Sequence, residues 1–126
     1  MGKLYLIPVT LGEESKPADV LPAATLEVLH GIDEFIVENE KSARHFLKAA
    51  GTPFAMADLR LHPIGKHVDA REMLFYLDSA KKGKSIGLLS EAGCPGVADP
   101  GAEIVRMAYD AGILVVPLPG PSSILL

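Results

Sequence analysis

Apolar residues along this chain gather in short, nearly unbroken runs, separated by stretches where they recur every three or four positions. The first run, LYLIPV (Leu4–Val9), is the kind of continuous apolar strand found in parallel sheets. A polar loop, GEESKPAD, follows. Pro22 then opens AATLEVLH, in which Ala24, Leu26 and Leu29 form one helical face and Gly31 a stop. EFIVE (Glu34–Glu38) predicts a second strand, and KSARHFLKAAG a second helix with Gly51 at its end. A weaker third strand falls around Leu59 to Leu61. Asp69 is placed to cap AREMLFYLDSAKKG, the longest predicted helix, which closes in lysines and a glycine as the helix dipole favours. SIGLLS is the fourth strand and ILVVPLP (Ile113–Pro119) the fifth, with Pro100 and Gly101 opening the helix AEIVRMAYDAG between them. Five strands alternating with four helices predict an α/β fold: a mostly parallel five-stranded sheet with right-handed crossovers and helices on both faces.

Composition narrows the class without changing this picture. At 126 residues, 48% hydrophobic and 22% charged, the chain suits one ordered domain with a core. No apolar run approaches the roughly 18 residues of a membrane span, so no membrane association is expected. MGKLYLIPVT lacks a cleavable small-residue site and reads as a buried strand, not a signal peptide. One cysteine, Cys94, excludes an internal disulfide framework and fits a reducing cytoplasm. A net charge of −4 argues against a broad basic face for nucleic acid, though not against a local patch. With no Trp and 6% aromatics, a base-stacking platform is not expected. The chain ends in PSSILL, which resembles the first turn of another helix. Residues 1–120 are therefore read as one domain and 121–126 as the start of a connection to a second one. The alternative is a small domain whose last turn docks on its own core.

The segment SEAGCPGVADPG (Ser90–Gly101) is the most unusual feature: three glycines and two prolines in a strand-to-helix connection, where two to six residues usually suffice. Ligands of open α/β sheets bind outside the carboxyl ends of the strands. Three irregular segments leave strands here, PVTLGEE, SEAGCPGVADPG and PLPGPSS, and if their strands are neighbours they line one crevice. Gly93, Gly96 and Gly120 would let backbone groups approach a ligand, while Pro95, Pro100, Pro119 and Pro121 stiffen the loops. Asp99 either caps the following helix or contacts the ligand. Other signatures fail. There is no G-x-G-x-x-G, and GKS (Gly83–Ser85) precedes a strand where a phosphate loop should follow one. His62 and His67 flank PIGK, either as a metal pair or as ordinary loop histidines, and no metal site is predicted. Cys94 has no partner placed to make it a nucleophile. ENEK (Glu38–Lys41) is either a substrate contact or a solvated charge cluster.

GKLYLIPVTLG, LLSEAGCPGVADPG and VVPLPGPSS occur in the order and spacing that resemble the tetrapyrrole-methylase-like class of S-adenosylmethionine-dependent methyltransferases. Within that class the likeness is to the ribosomal RNA small subunit methyltransferase I group, which methylates a ribose 2′-hydroxyl. The group's fourth-strand loop typically reads D-A-G-T-P-G-I-S-D-P-G, and Glu91 to Gly101 match it at most positions. The resemblance covers the family's N-terminal domain; members carry a second α/β domain, bind the cofactor in the cleft between the two, and usually form homodimers. It implies S-adenosyl-L-methionine contacts from Thr10, Leu11 and Gly12, from Ser90, Ala92, Gly93, Gly96, Val97 and Asp99, and from Pro119, Gly120, Pro121 and Ser122.

The departures lie mainly on the substrate side. The group's T-P-I-G-N is here Val9-Thr10-Leu11-Gly12-Glu13, and its E-D-T-R is Glu38-Asn39-Glu40-Lys41. Its H-E-H-N-E region is only echoed by HPIGKH. Glu38, Glu40 and Lys41 are thus the substrate-side candidates, with ribosomal RNA or the small ribosomal subunit as the implied partner. The sequence marks no catalytic base; methyl transfer from an activated sulfonium mainly needs proximity and alignment. Two alternatives stay open: methylation of a tetrapyrrole or another small molecule, and a binding or dimerisation domain that has lost its chemistry. With half of the cleft missing, the chain alone is expected to be inactive.

Overall fold

A parallel sheet with apolar residues on both faces organises the molecule. In a computed structural model that describes residues 1–9, 17–65, 70–91 and 100–120, five strands run β1 (Lys3–Val9), β2 (Glu34–Val37), β3 (Arg60–Pro63), β4 (Ile86–Glu91) and β5 (Leu114–Pro117). Every pairing is parallel, and the strand order is β3-β2-β4-β1-β5. The predicted α/β sheet is therefore present, with β4, β1 and β5 side by side as the three-loop crevice required.

Successive side chains point to opposite faces of a strand, and two cores follow. Ile7, Val9, Phe35, Val37 and Leu89 face one side, where α2 (Ala23–His30) contributes Leu29 and α3 (Glu40–Ala49) contributes Ala43, Phe46 and Leu47. Leu4, Ile36, Ile86 and Leu88 face the other, covered by Leu77 and Ala80 and by Ile104 and Ala108 of α6 (Pro100–Asp110). At the sheet centre, β4 carries Gly87. A Cβ there would lie 2.8 Å from Cδ1 of the fully buried Phe35 ring, so only glycine lets the ring lie flat on the strand.

Two expectations need correction. The polar loop GEESKPAD contains a helical turn, α1 (Pro17–Val20), with Pro17 buried at its start. The long helix over 70–83 is instead two single turns, α4 (Ala70–Met73) and α5 (Asp78–Lys81). Between them the hydrogen bonds tighten to three-residue spacing, as in Phe75 N–H to Glu72 C=O (3.2 Å) and Tyr76 N–H to Met73 C=O (3.1 Å). The cause is visible in the sequence. Met73 to Leu77 are five consecutive apolar residues, which no single helical face can bury. Tyr76 and Leu77 go inward, with Tyr76 Oη donating to Pro63 C=O at 2.6 Å, while Leu74 and Phe75 stay exposed. The proposed Asp69 cap lies outside the described residues.

Candidate functional site

The carboxyl ends of β2, β4 and β1 form the floor of a groove that has a different helix at each side. On the first face, a narrow crevice is lined by Val9, Val37, Leu89, Ala43, Ser42 and Asn39, with Glu38. Asn39 shapes it by capping α3: its Oδ1 accepts a hydrogen bond from Ser42 N–H at 2.9 Å. On the second face, a larger hollow of about 100 Å³ lies against α6, lined by Leu6, Leu88, Leu89, Ser90, Gly101, Ala102 and Val105, again with Glu38. Glu38 and Leu89 border both. The two hollows therefore meet over the end of β4.

The exit from β5 is fixed beside this groove. The β1–β5 pairing extends past the strand through Leu118 N–H to Leu6 C=O (2.9 Å). Thr25, fully buried on α2, then donates its hydroxyl to Pro119 C=O at 2.8 Å. Gly120 lies against Pro8 so closely that a Cβ would come within 2.8 Å of the proline ring. Pro119 and Gly120 are thus held over the end of β1, next to the strand that carries Ser90.

Of the predicted cofactor residues, Ser90 lies in the larger hollow and Pro119 and Gly120 on the adjoining β5 exit. Thr10, Leu11, Gly12, Ala92, Gly93, Gly96, Val97, Asp99, Pro121 and Ser122 lie outside the described residues. The three substrate-side candidates separate. Glu38 borders both hollows, whereas Glu40 and Lys41, at the exposed start of α3, border neither. Burial raises the pKa of the Tyr76 phenol, and the charges of Glu72 and Glu40 raise it further.

A second polar cluster, not anticipated from the residue pattern, lies at the opposite, amino end of the sheet. Glu34, 2% exposed, accepts from His62 Nε2 at 2.8 Å and from Ser79 Oγ at 2.9 Å, with Arg60 at 3.5 Å and Lys84 at 3.4 Å. Lys84 also lies 2.7 Å from Asp33, and His62 stacks on Tyr76 with ring centroids 4.8 Å apart. Burial alone would raise the Glu34 pKa; the hydrogen bonds from His62 and Ser79 and the charge of Arg60 outweigh it and hold the carboxyl below its ordinary value. The Asp33 hydrogen bond chiefly raises the Lys84 pKa. Because the carboxylate sits between the serine and the histidine, the imidazole has no hydroxyl to activate, and the group is not a nucleophilic triad. The signal available was an acid at the first position of a strand that is otherwise wholly buried.

Comparison with known proteins places this geometry. The chain is 35% identical over 120 residues to Ribosomal RNA small subunit methyltransferase I of Escherichia coli O157:H7, covering 95% of the chain and 39% of that protein. It is 31% identical over 125 residues to the protein of the same name from Leptospira biflexa, covering 98% and 48%. The chain thus spans less than half the length of these curated relatives. Among solved structures, uroporphyrin-III-C-methyltransferase from Thermus thermophilus superposes with a TM-score of 0.61 at 23% identity, over 97% of this chain and 49% of that one. A Thermus thermophilus uroporphyrin-III C-methyltransferase complexed with S-adenosyl homocysteine gives a TM-score of 0.60 at 20% identity, over 98% and 47%. No protein-family model matches the chain. Its homologues are thus small-subunit ribosomal RNA methyltransferases, and its fold is that of a tetrapyrrole methylase domain.

Proposed function

We propose that this chain forms one half of the active site of an S-adenosylmethionine-dependent methyltransferase that modifies a ribose 2′-hydroxyl of small-subunit ribosomal RNA. The observation that carries the reading is 30–35% identity to ribosomal RNA small subunit methyltransferase I proteins along 95–99% of the chain. A groove at the carboxyl edge of β4 and β1 agrees with it. Its larger hollow, about 100 Å³, is well below the roughly 300–1,000 Å³ of a pocket that encloses a small molecule. The floor in this chain therefore needs a facing surface, such as the remaining length of the relatives would provide.

The groove's residues suit the cofactor. Leu6, Leu88 and Val105 offer an apolar floor that excludes water, Ser90 a hydroxyl, and Glu38 a negative charge that complements a cationic sulfonium. Ser90, Pro119 and Gly120 are the described residues that would hold it, together with Thr10, Leu11, Gly12, Ala92, Gly93, Gly96, Val97, Asp99, Pro121 and Ser122. When bound, S-adenosylmethionine supplies a methyl group already activated for transfer, so the protein's task is alignment and exclusion of water. Thr25 contributes by anchoring Pro119 C=O, and Asn39 by fixing the start of α3. The reading carries with it a homodimeric assembly and a cytoplasmic location; among the described residues no helix is long and apolar enough to cross a membrane.

Methylation of a tetrapyrrole is the second reading, favoured by the fold neighbours, but their identity to this chain is only 16–23%. The deciding experiment is calorimetric titration of S-adenosylmethionine and S-adenosylhomocysteine into the protein at its full natural length, with residues 1–126 alongside. Micromolar binding to the full length, and weak or no binding to 1–126, is expected. Methyl incorporation into purified small ribosomal subunits then separates the two substrate classes. Absence of binding to the full-length protein would overturn the assignment and leave a domain without this chemistry.

A further inference from the structure

The two sides of α3 are unlike. Ala43, Phe46 and Leu47 are buried against the sheet, while Lys41, His45 and Lys48 are exposed at i, i+4 and i+7 and form one stripe about 10 Å long. Half-buried Arg44 borders that stripe. Its Nη1 donates to Met56 C=O at 3.0 Å, which orients the guanidinium without neutralising it. Lys41, Arg44 and Lys48 against Glu40 give the helix a net charge of +2, in a chain whose net charge is −4. Among the described residues none of these three cations makes an ion pair with a carboxylate, whereas Arg60, Lys84 and Arg106 all do. The stripe is also continuous with the groove. Connecting the parallel strands β2 and β3, α3 starts at the carboxyl end of the sheet, where Ser42 and Ala43 line the narrow hollow, and runs back toward the amino end.

Resting on the ribosomal RNA reading above, we infer that the outer face of α3 is a track for the phosphate backbone of the RNA strand whose nucleotide enters the narrow hollow, with Lys41, Arg44 and Lys48 as its phosphate contacts. Three physical grounds support it. Charges farther apart than about 8 Å are largely screened at physiological ionic strength, so a local stripe of cations attracts phosphate even on a chain of negative net charge. Ammonium and guanidinium groups not already engaged by carboxylates keep their donors for phosphate oxygens. Contacts of this kind fix the register of a strand without reading its bases, so they require no aromatic platform. The track thus supplies the electrostatic hold on RNA that a chain without a broad basic face otherwise lacks.

The test uses the full-length protein and protein-free small-subunit ribosomal RNA, with binding measured by filter retention between about 50 and 200 mM salt. Lys41→Gln/Lys48→Gln is compared with wild type and with Lys41→Arg/Lys48→Arg. A control, Lys81→Gln/Lys82→Gln, removes the same charge from an exposed site next to α5. Each lost phosphate contact flattens the slope of log affinity against log salt by about 0.7–0.9. The double glutamine variant on α3 should therefore lose about 1.4–1.8 of slope and bind about tenfold or more weakly at about 100 mM salt. The arginine variant should keep the wild-type slope, and the control should stay close to it. S-adenosylhomocysteine affinity by calorimetry should remain within about threefold of wild type in all of them. An unchanged slope in Lys41→Gln/Lys48→Gln, or an equal loss in the control, would overturn the track and leave the methyltransferase reading intact. Weaker retention of whole subunits with unchanged retention of the free RNA would also overturn it, because the helix would then meet a ribosomal protein. Failure of the wild-type protein to bind S-adenosylhomocysteine would overturn the methyltransferase reading and, with it, the track.

Discussion

Replacing Glu34 by Gln tests the electrostatics at the amino end of the sheet, because it preserves shape and removes charge. The wild-type carboxylate receives two short hydrogen bonds, from His62 at 2.8 Å and Ser79 at 2.9 Å, with two further cations within 3.5 Å. A hydrogen bond to a charged group contributes about 1.5–3 kcal/mol and a neutral one about 0.5–1.5. The charge in these two bonds is therefore worth about 2–3 kcal/mol, offset in part by the cost of keeping an ion buried. The net expectation for Glu34→Gln at pH 7 is a loss of about 1–3 kcal/mol. The pH dependence follows from the direction of the pKa shift. Glu34 titrates in the folded chain below its ordinary value of 4.5, so between the two values the unfolded chain binds more protons and stability rises with pH. The contribution is complete above 4.5 and disappears as pH falls through the folded value. Urea unfolding followed by circular dichroism at pH 7, 5.5, 4 and 3 should show the midpoint of the variant about 1 M below wild type at pH 7, for a urea slope of about 1–3 kcal/mol/M. The two curves should converge in acid. An equal gap at every pH would refute the electrostatic argument, and no gap at pH 7 would show that desolvation cancels the network.

Gly87→Ala places a methyl 2.8 Å from Phe35 and 3.1 Å from Ile7 Cδ1, both fully buried. It should cost about 1–3 kcal/mol in thermal unfolding, partly recovered in the double variant with Phe35→Leu. Asn39→Ala removes the α3 cap and should cost about 1 kcal/mol in urea unfolding, whereas Asn39→Asp retains the bond and should be neutral or better. Gly120→Ala forces the β5 exit off the Pro8 ring. Under the proposed function it should weaken S-adenosylhomocysteine binding by about tenfold, equivalent to about 1.4 kcal/mol, with little change in the thermal midpoint.

Four of the five strands were legible because each is short, mainly apolar and β-branched or leucine-rich; β3, with Arg60 and His62 among its four residues, carried only a weak signal. The adjacency of β4, β1 and β5 was a condition for one shared crevice that the pattern alone did not establish, and the strand order meets it. What periodicity could not show was where a helical stretch breaks. Met73 to Leu77 satisfy helix propensity residue by residue, yet the chain gives up regular helix there to send Tyr76 toward Pro63 C=O. The Glu34 network was illegible for a related reason. Its members, Glu34, Arg60, His62, Ser79 and Lys84, come from four separate segments, and only the register Glu34 to Arg60 and the placement of α5 bring them together. The distinction among Glu38, Glu40 and Lys41 was equally out of reach. It depends on which way α3 leaves the sheet, and Asn39 fixes that through its cap.

The two polar groups sit at opposite ends of the same strand, and their designs differ accordingly. Glu34, at the start of β2, is buried and surrounded by partners from β3, α5 and the approach to β4. Glu38, just past the end of β2, is exposed in a groove whose other described walls carry no charge. A fully satisfied buried ion locks the strands that supply its partners, so a change there is felt as stability. A carboxylate at the solvent-exposed mouth of a groove contributes little to stability. The two should therefore respond independently. Glu34→Gln should lower the urea midpoint and leave S-adenosylhomocysteine affinity of the folded full-length protein within about twofold, since sites four residues apart along an extended strand are separated by about 13 Å. Coupled losses in both measurements would mean that β2 transmits strain along its length, and that the sheet is a more deformable platform for the groove than its two closely packed faces imply.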